Sequence, residues 1–512
     1  MLENKKNLLI IILFTLASRL IFLHWNAGEY TDGVIQMTLF TAAKENSFYP
    51  PLYTWLILLF NYLFHNLEVS AKLVSMVAGT LTVIPVYLIA KRLFDERVGI
   101  FAAILFAVSP ELWRWQIRIM TDSLFTLLFL SSICFIQQLR NVPAEASAQA
   151  GPNQIKIRNL CFAWLFTGLA TLTRYQGIVL IPPLLIATVW VIKQNKPAFY
   201  RVTVYGLLST AVIPWLILIW WILVRGFGHF GQYAERTSQT WWMSLLSYLT
   251  MAETFVLYIP YELTYPIFCF FIYGVIRLII RKQSKSISLE TETYAPIHRF
   301  NQLFLYLFIV WLIIHAPFES FQYRYFIPIF PLFIILAAYG IVQFQNSICK
   351  RSLGIAAIIF SLLFSLTALY FQRDTFGDIK RAAIALKESQ LPKDTGIYGN
   401  EIYRPGMNNL KLAFWSGLPI QRYDTDTREQ LKPGDYVVLH NVYGNLISEQ
   451  SFLQTFYDVK LVYRAEAKTI PLLPDIMSSP PFTSHPAGMV FKYFPQEFIT
   501  VIFRIEQKHL PN

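Results

Sequence analysis

Charge is what this sequence has least of. Only 14% of its 512 residues are Asp, Glu, Lys or Arg, against 55% that are hydrophobic, and the mean hydropathy is +0.44. A soluble domain carries about a quarter charged residues, so a water-exposed globular chain is excluded. Cysteine is also scarce. The four present, Cys134, Cys161, Cys269 and Cys349, lie in or beside apolar runs without metal-ligand spacing, which argues against a disulfide framework or a zinc site. There is no Walker loop, dinucleotide-binding fingerprint, HExxH pair or nucleophile elbow, and no short-period repeat. The net charge of +12 comes from Lys and Arg clustered in short loops, not from a basic face with its own fold, so it points away from nucleic acid.

What is present is a series of apolar runs, several reaching the ~20 residues that span a bilayer. Aromatics make up 16% of the chain, with many Trp and Tyr at run ends, where amphipathic rings settle at the headgroups. The run "LLIIILFTLASRLIFLHW" follows Lys5 and Lys6. It is too long for a removed signal peptide and lacks a small-residue cleavage site, so it reads as an uncleaved first span leaving the cytoplasm. The basic loops then set the alternation. Residues 25–50 fall outside and 50–64 lie on the outer interface as a short helix, because 70–90 must run inward to "KRLFDER". Further spans follow at 98–110, 123–139, 160–173, 176–192, 203–224, 256–280, 302–316, 326–345 and 352–371. The expected fold is a mainly α, polytopic transmembrane bundle of about 11 spans, with interfacial helices in its first outer loop.

Beyond residue 371 the composition changes. Residues 372–512 lose the long apolar runs and gain charge and turn residues. "FGDIKRAAIALKESQLPKDTGIYG" predicts a helix, a turn and a strand; "LKPGDYVVLHNVYG" predicts a turn into a buried strand. The sequence therefore divides into 1–371, in the membrane, and 372–512, a small extracytoplasmic α/β domain.

Charges on the predicted outer side form four groups. Glu29 and Asp32 are three apart and share a face if the segment is a helix, with Asp32 in the first turn and Thr31 placed to cap it; an ordinary solvated capping pair has the same spacing. Glu111, Arg114, Arg118 and Asp122 are spaced 3, 4 and 4, which predicts one helical stripe. Asp122 opens an apolar span, where an acid is costly unless paired or facing water. Arg118 at i−4 is one partner that would neutralise it. Arg174 and Tyr175 sit at an outer turn, where a lone cation breaks the positive-inside pattern and fits either anion binding or snorkelling. Glu319, Arg324 and Tyr325 lie at the mouth of a proline-rich span, and an Arg beside a Tyr suits a phosphate. Carboxylates can deprotonate a hydroxyl and arginines can hold a leaving phosphate. The pattern suits transfer of a group from a lipid-linked phosphate to a hydroxyl or amine at the membrane surface.

These blocks, in this order, resemble the GT-C class of membrane glycosyltransferases. They are most similar to the bacterial branch of the protein O-mannosyltransferase superfamily, which includes glycosyltransferase family 39 and the aminoarabinose transferase of lipid A. The blocks are "TDGVIQM...FYPPLYTWLILLF", "AVSPELWRWQIRIMTDSLF", "GLATLTRYQGIVLIPPLL" and "QYRYFIPIFPLFIILAAYG". The family carries an adjacent Asp-Glu pair in its first outer loop; here Asp32 is followed by Gly33 and the nearby acid is Glu29.

The resemblance implies a polyprenyl-phosphate sugar as donor and a glycan, lipid or protein as acceptor. It implies Asp32 as the base, with Glu29 as the neighbouring carboxylate, and Asp122 as a second essential acid. Arg324, Arg118 and Arg174 would hold the lipid phosphate, with Tyr325, Tyr175, Glu319 and Tyr53 lining the substrate site. No metal or cofactor is required, although Asp32 and Asp122 have the chemistry to share a divalent ion. The chain contains no Asn-x-Ser/Thr sequon, which fits a bacterial inner membrane with its active site and C-terminal domain extracytoplasmic. A transporter or flippase of lipid-linked sugars is the rival reading, but it would show repeats and midplane charges. A non-catalytic assembly protein would not need acids and arginines matched on one side.

Overall fold

The structure, a computed structural model, describes residues 2–40, 49–139, 152–194, 211–225, 259–260, 262–284, 306–307, 309–311, 323–344, 348–392, 394–400, 407–441, 446–470, 472 and 496–509. The chain forms two compact units. One holds residues 1–21 and 39–367; the other gathers 22–38, 368–472 and 493–512.

The first unit is helical. Its elements begin with α1 (Leu2–Leu20) and, beyond α2 (Thr31–Thr38) of the second unit, continue with α3 (Leu52–Phe64), α4 (Leu67–Leu81), α5 (Val83–Leu93), α6 (Glu96–Val108), α7 (Pro110–Gln116) and α8 (Thr121–Gln138). They go on to α9 (Pro152–Thr173), α10 (Ile181–Gln194), α11 (Ile213–Arg225), α12 (Tyr265–Ser284), α13 (Phe330–Phe344) and α14 (Ile348–Phe371), the last of which passes into the second unit. Short polar side chains set the starts. Asn66 accepts from the Val69 amide at 3.0 Å to cap α4, and Asp95 accepts from the Val98 amide at 2.9 Å to cap α6.

Among the described residues three helical segments are long and apolar enough to cross a bilayer, at Leu67–Leu93, Tyr175–Lys193 and Arg351–Phe371. Helices α6 and α7 together form a fourth, bent by 59°. The bend has a plain cause. Pro110 removes an amide donor and forces Ser109 into extended backbone, at ψ 124°. Helix α3, with 13 residues, measures about 20 Å, shorter than the ~30 Å hydrocarbon core of a bilayer. Parts of the spans expected at 203–224, 256–280 and 302–316 lie outside the described residues.

Helices of this unit pack through small and hydroxyl residues, as suits a medium that offers no hydrophobic drive between them. A Cβ on Gly340 would stand 1.9 Å from the Phe270 carbonyl oxygen, and one on Gly274 2.4 Å from that of Leu336. Here α12 and α13 touch backbone to backbone. Ser132 and Thr167 join α8 to α9 at 2.8 Å. Apolar side chains such as Ile186, Leu223 and Leu363 remain exposed along α10, α11 and α14, the surface of a protein solvated by lipid.

The single helical stripe expected from Glu111 to Asp122 does not form. Helix ends at Gln116 and restarts at Thr121. Between them Met120 is extended, at φ −146° and ψ 142°. Its carbonyl accepts from Ser75 Oγ at 3.1 Å and its amide lies 3.4 Å from the same oxygen. A tertiary partner on α4 takes the place of the helical ladder.

The second unit is α/β. Its elements are α2, α15 (Gly377–Glu388), β1 (Ile397–Asn400), α16 (Met407–Ser416), β2 (Gln421–Tyr423), α17 (Thr425–Arg428), β3 (Tyr436–His440), α18 (Leu446–Phe456), β4 (Tyr457–Thr469) and β5 (Gln496–Lys508). The sheet order is β2-β1-β3-β5-β4. Strand β1 pairs parallel with β2 and β3, whereas β5 pairs antiparallel with β3 and β4. The period of two along a strand sorts its residues by face. Val437, Leu439, Val501 and Phe503 join Leu453 in an apolar core. His440 and Thr500, paired in register, reach Asp378 of α15 instead.

Candidate functional site

The first unit brings together members of the second and third charge groups and Tyr325 of the fourth. Asp122 stands in the first turn of α8, where the helix dipole favours a carboxylate. It is fully buried, and its Oδ1 accepts from Arg174 Nη1. Arg174 lies in extended backbone just before the 3-10 turn Tyr175–Leu180, so its side chain leaves the end of α9 toward α8. The Arg174 guanidinium carbon is 5.7 Å from the centre of the Tyr325 ring. The Tyr325 carbonyl accepts from Trp311 Nε1 at 2.6 Å. Three residues far apart in sequence thus form one cluster of acid, cation and ring. The Asp122 Oδ2 atom has no hydrogen-bond partner among the described residues.

Arg118 is buried and lies in the break between α7 and α8. Asp122 takes Arg174, 52 positions away, as its partner. Glu111 and Arg114 pair at 2.7 Å within α7, and Glu262 lies within electrostatic reach of both. Tyr175 is half-buried. Tyr53 is fully buried; its hydroxyl donates to the Ala71 carbonyl at 3.1 Å and meets Ser75 Oγ at 2.7 Å. Arg324 lies in the 3-10 turn Tyr323–Phe326. Its side chain and the whole of Glu319 lie outside the described residues.

Glu29 and Asp32 belong to the second unit. Asp32 is in the first turn of α2 and is partly exposed, whereas Glu29, just before it, is fully buried. The two acids therefore meet different surroundings despite their spacing. Among the described residues no group of three His, Cys, Asp or Glu side chains converges as a metal-binding set.

Arg19 and Lys411 are among the buried cations that sequence reasoning missed. Arg19, at the end of α1, donates from Nε to Gln116 Oε1 at 2.8 Å and from Nη1 to Ser18 Oγ at 2.9 Å. It also lies 4.5 Å over the Trp113 ring. A cation at the expected outer end of the first span breaks the charge rule just as Arg174 does, and that signal was available. Lys411 of α16 is fully buried, with Nζ 3.4 Å from the centre of the Phe376 ring; no local pattern announces it.

A helical unit with apolar helices and a small α/β unit are the kinds of element that the sequence blocks led us to expect. Residues 49–221 match the family described as dolichyl-phosphate-mannose-protein mannosyltransferase. That segment includes Tyr53, Glu111, Arg118, Asp122, Arg174 and Tyr175 and leaves out Glu29, Asp32 and Arg324. The fold is similar to that of ArnT from Cupriavidus metallidurans in the apo state, with a TM-score of 0.56 at 14% identity over 96% of this chain and 97% of that one. It is likewise similar to ArnT from the same organism bound to undecaprenyl phosphate, with a TM-score of 0.54 at 12% identity over the same shares. None of the curated proteins matches the sequence.

Proposed function

We propose that the chain transfers a sugar from a polyprenyl-phosphate donor to a hydroxyl of a glycan, lipid or protein at the outer face of a bacterial inner membrane. The observation that carries this reading is the mannosyltransferase family segment set in a fold shared, nearly end to end, with a protein that binds undecaprenyl phosphate. The chemistry of the residues agrees with it.

Asp32 is the base in this reading. A base must reach the proton it removes, and Asp32 is partly exposed where Glu29 is buried. Asp32 takes the acceptor's proton as the acceptor oxygen attacks the anomeric carbon. The bond from that carbon to the phosphate oxygen breaks, and its electron pair leaves with the lipid phosphate. A single displacement of this kind inverts the anomeric configuration. Arg174 and Arg118, with Arg324, hold the phosphate and neutralise it as it leaves. Asp122 fixes the Arg174 guanidinium through Oδ1 and offers Oδ2 to a sugar hydroxyl. Tyr325 backs the cation with its ring.

The test is a thermal-shift screen of the purified protein in detergent. Synthetic undecaprenyl-phosphate sugars are compared with undecaprenyl phosphate alone. A ligand at 100 times its dissociation constant adds about 2.7 kcal/mol of apparent stability. Selective stabilisation by one sugar lipid, followed by its turnover, supports the reading and names the donor. A folded sample that responds to none of them overturns it.

A further inference from the structure

The segment that bears Asp32 is built into the C-terminal unit. Trp25 donates from Nε1 to the Leu369 carbonyl at 3.0 Å. The Ala27 amide donates to the Arg373 carbonyl at 2.8 Å. The Arg373 guanidinium lies over the rings of Tyr370, at 4.2 Å, and Trp25, at 5.6 Å. Gly28 presses directly on the backbone. A Cβ there would stand 2.4 Å from the Phe376 carbonyl oxygen and 2.9 Å from that of Thr375. Tyr30 then meets the Phe376 ring edge to face, centroids 5.5 Å apart and planes at 81°. Helix α2 itself packs on α16.

Phe376 is the hub of these contacts. It is buried and carries φ +60°, a conformation that a bulky residue adopts only when its surroundings impose it. Its ring meets Tyr30, Phe498 of β5 and the buried Lys411 ammonium of α16. The next two residues open α15, where Asp378 Oδ2 accepts from Thr500 Oγ1 at 2.7 Å and lies 3.2 Å from His440 Nε2. A continuous set of buried contacts thus runs from strands β3 and β5, through Asp378 and Phe376, to Gly28 and Tyr30. Asp32 follows two residues later.

We infer that Phe376 is a positioning residue for the base, through which the C-terminal unit holds the Gly28–Asp32 segment. The inference rests on the reading of Asp32 as base and extends it. A base displaced by about 1 Å loses rate while the donor binds as before.

Three substitutions in the full-length protein separate the parts. Gly28→Ala drives a methyl into the Phe376 carbonyl. Phe376→Asn removes the ring but suits the left-handed backbone. Phe376→Tyr keeps both ring and backbone. With undecaprenyl-phosphate mannose as the donor probe, Gly28→Ala and Phe376→Asn are expected to lower kcat by about 10²-fold. KM for the probe and stabilisation by undecaprenyl phosphate stay unchanged, and Phe376→Tyr turns over like the wild type. Wild-type kcat in folded Gly28→Ala or Phe376→Asn overturns the inference, as does a rise in KM that accounts for the loss. Asp32→Asn is run alongside. If it keeps its rate, the base assignment fails; if it is inactive while Phe376→Asn is not, only the positioning role fails. Hydrogen exchange on the wild-type protein gives an answer that needs neither variant nor donor. The Ala27 amide and those of α2 should exchange in step with α15, and an α2 that exchanges as freely as an open loop sinks the inference.

Discussion

The carboxylate of Asp122 in α8 and the guanidinium of Arg174, the residue that follows α9, form a buried ion pair. An acid at the start of an apolar helix and a lone cation at the turn between two apolar runs, each anomalous in the sequence, explain each other.

Removing either charge strands the other. Asp122→Asn or Arg174→Met is expected to destabilise the protein by about 3–5 kcal/mol. The double variant should recover about 2 kcal/mol relative to the sum of the singles. Denaturation of all four proteins in one detergent measures the coupling, and strict additivity would refute the pair.

Glu29 and Asp32 should separate by readout. Asp32→Asn is expected to cut turnover by roughly 10²–10⁴-fold with donor binding intact. Glu29→Gln should act on melting temperature rather than on rate, because Glu29 is fully buried. Parallel kinetics and thermal melts test this, and the opposite pattern would make Glu29 the base.

The crossing of α12 and α13 leaves no room for a side chain. Gly340→Ala must displace the Phe270 carbonyl, which a Cβ would approach to 1.9 Å. The expected cost is about 1–3 kcal/mol, read as a lower melting temperature. An unchanged melt would show that the two helices are not in backbone contact.

The C-terminal unit should weaken in acid at a definite site. Burial pushes the Asp378 carboxyl up, but hydrogen bonding and attraction to His440, with bonds from Thr500 and the Ile379 amide, more than offset it. The group ionises below its usual value of 3.8. A depressed carboxylate contributes stability that is fully present above the ordinary value and is lost as pH falls through the folded one. Exchange protection of β3 and β5 should therefore decline below about pH 4, and Asp378→Asn should flatten that decline. A wild-type profile in the variant would refute the assignment.

Much of this protein was legible along the chain. Apolar run length marks helices made for lipid, because the bilayer imposes one length and forbids unpaired backbone. The turn residues and alternation beyond residue 371 foretold α15, β1 and β3, since those signals are local. The anomalous charges Asp122 and Arg174 stood out because each violates a rule of membrane energetics. Tertiary structure decided how the charges pair. Local spacing offered Arg118 to Asp122, but Met120 found a better hydrogen-bond partner in Ser75, the helix broke, and Arg174 took the position. Tertiary structure also set Asp32 apart from Glu29 and joined both to a unit formed some 350 residues later. No sequence window contains the close approach of Gly28 to Phe376. It arises from contacts between distant segments, and those are fixed only when the whole chain packs.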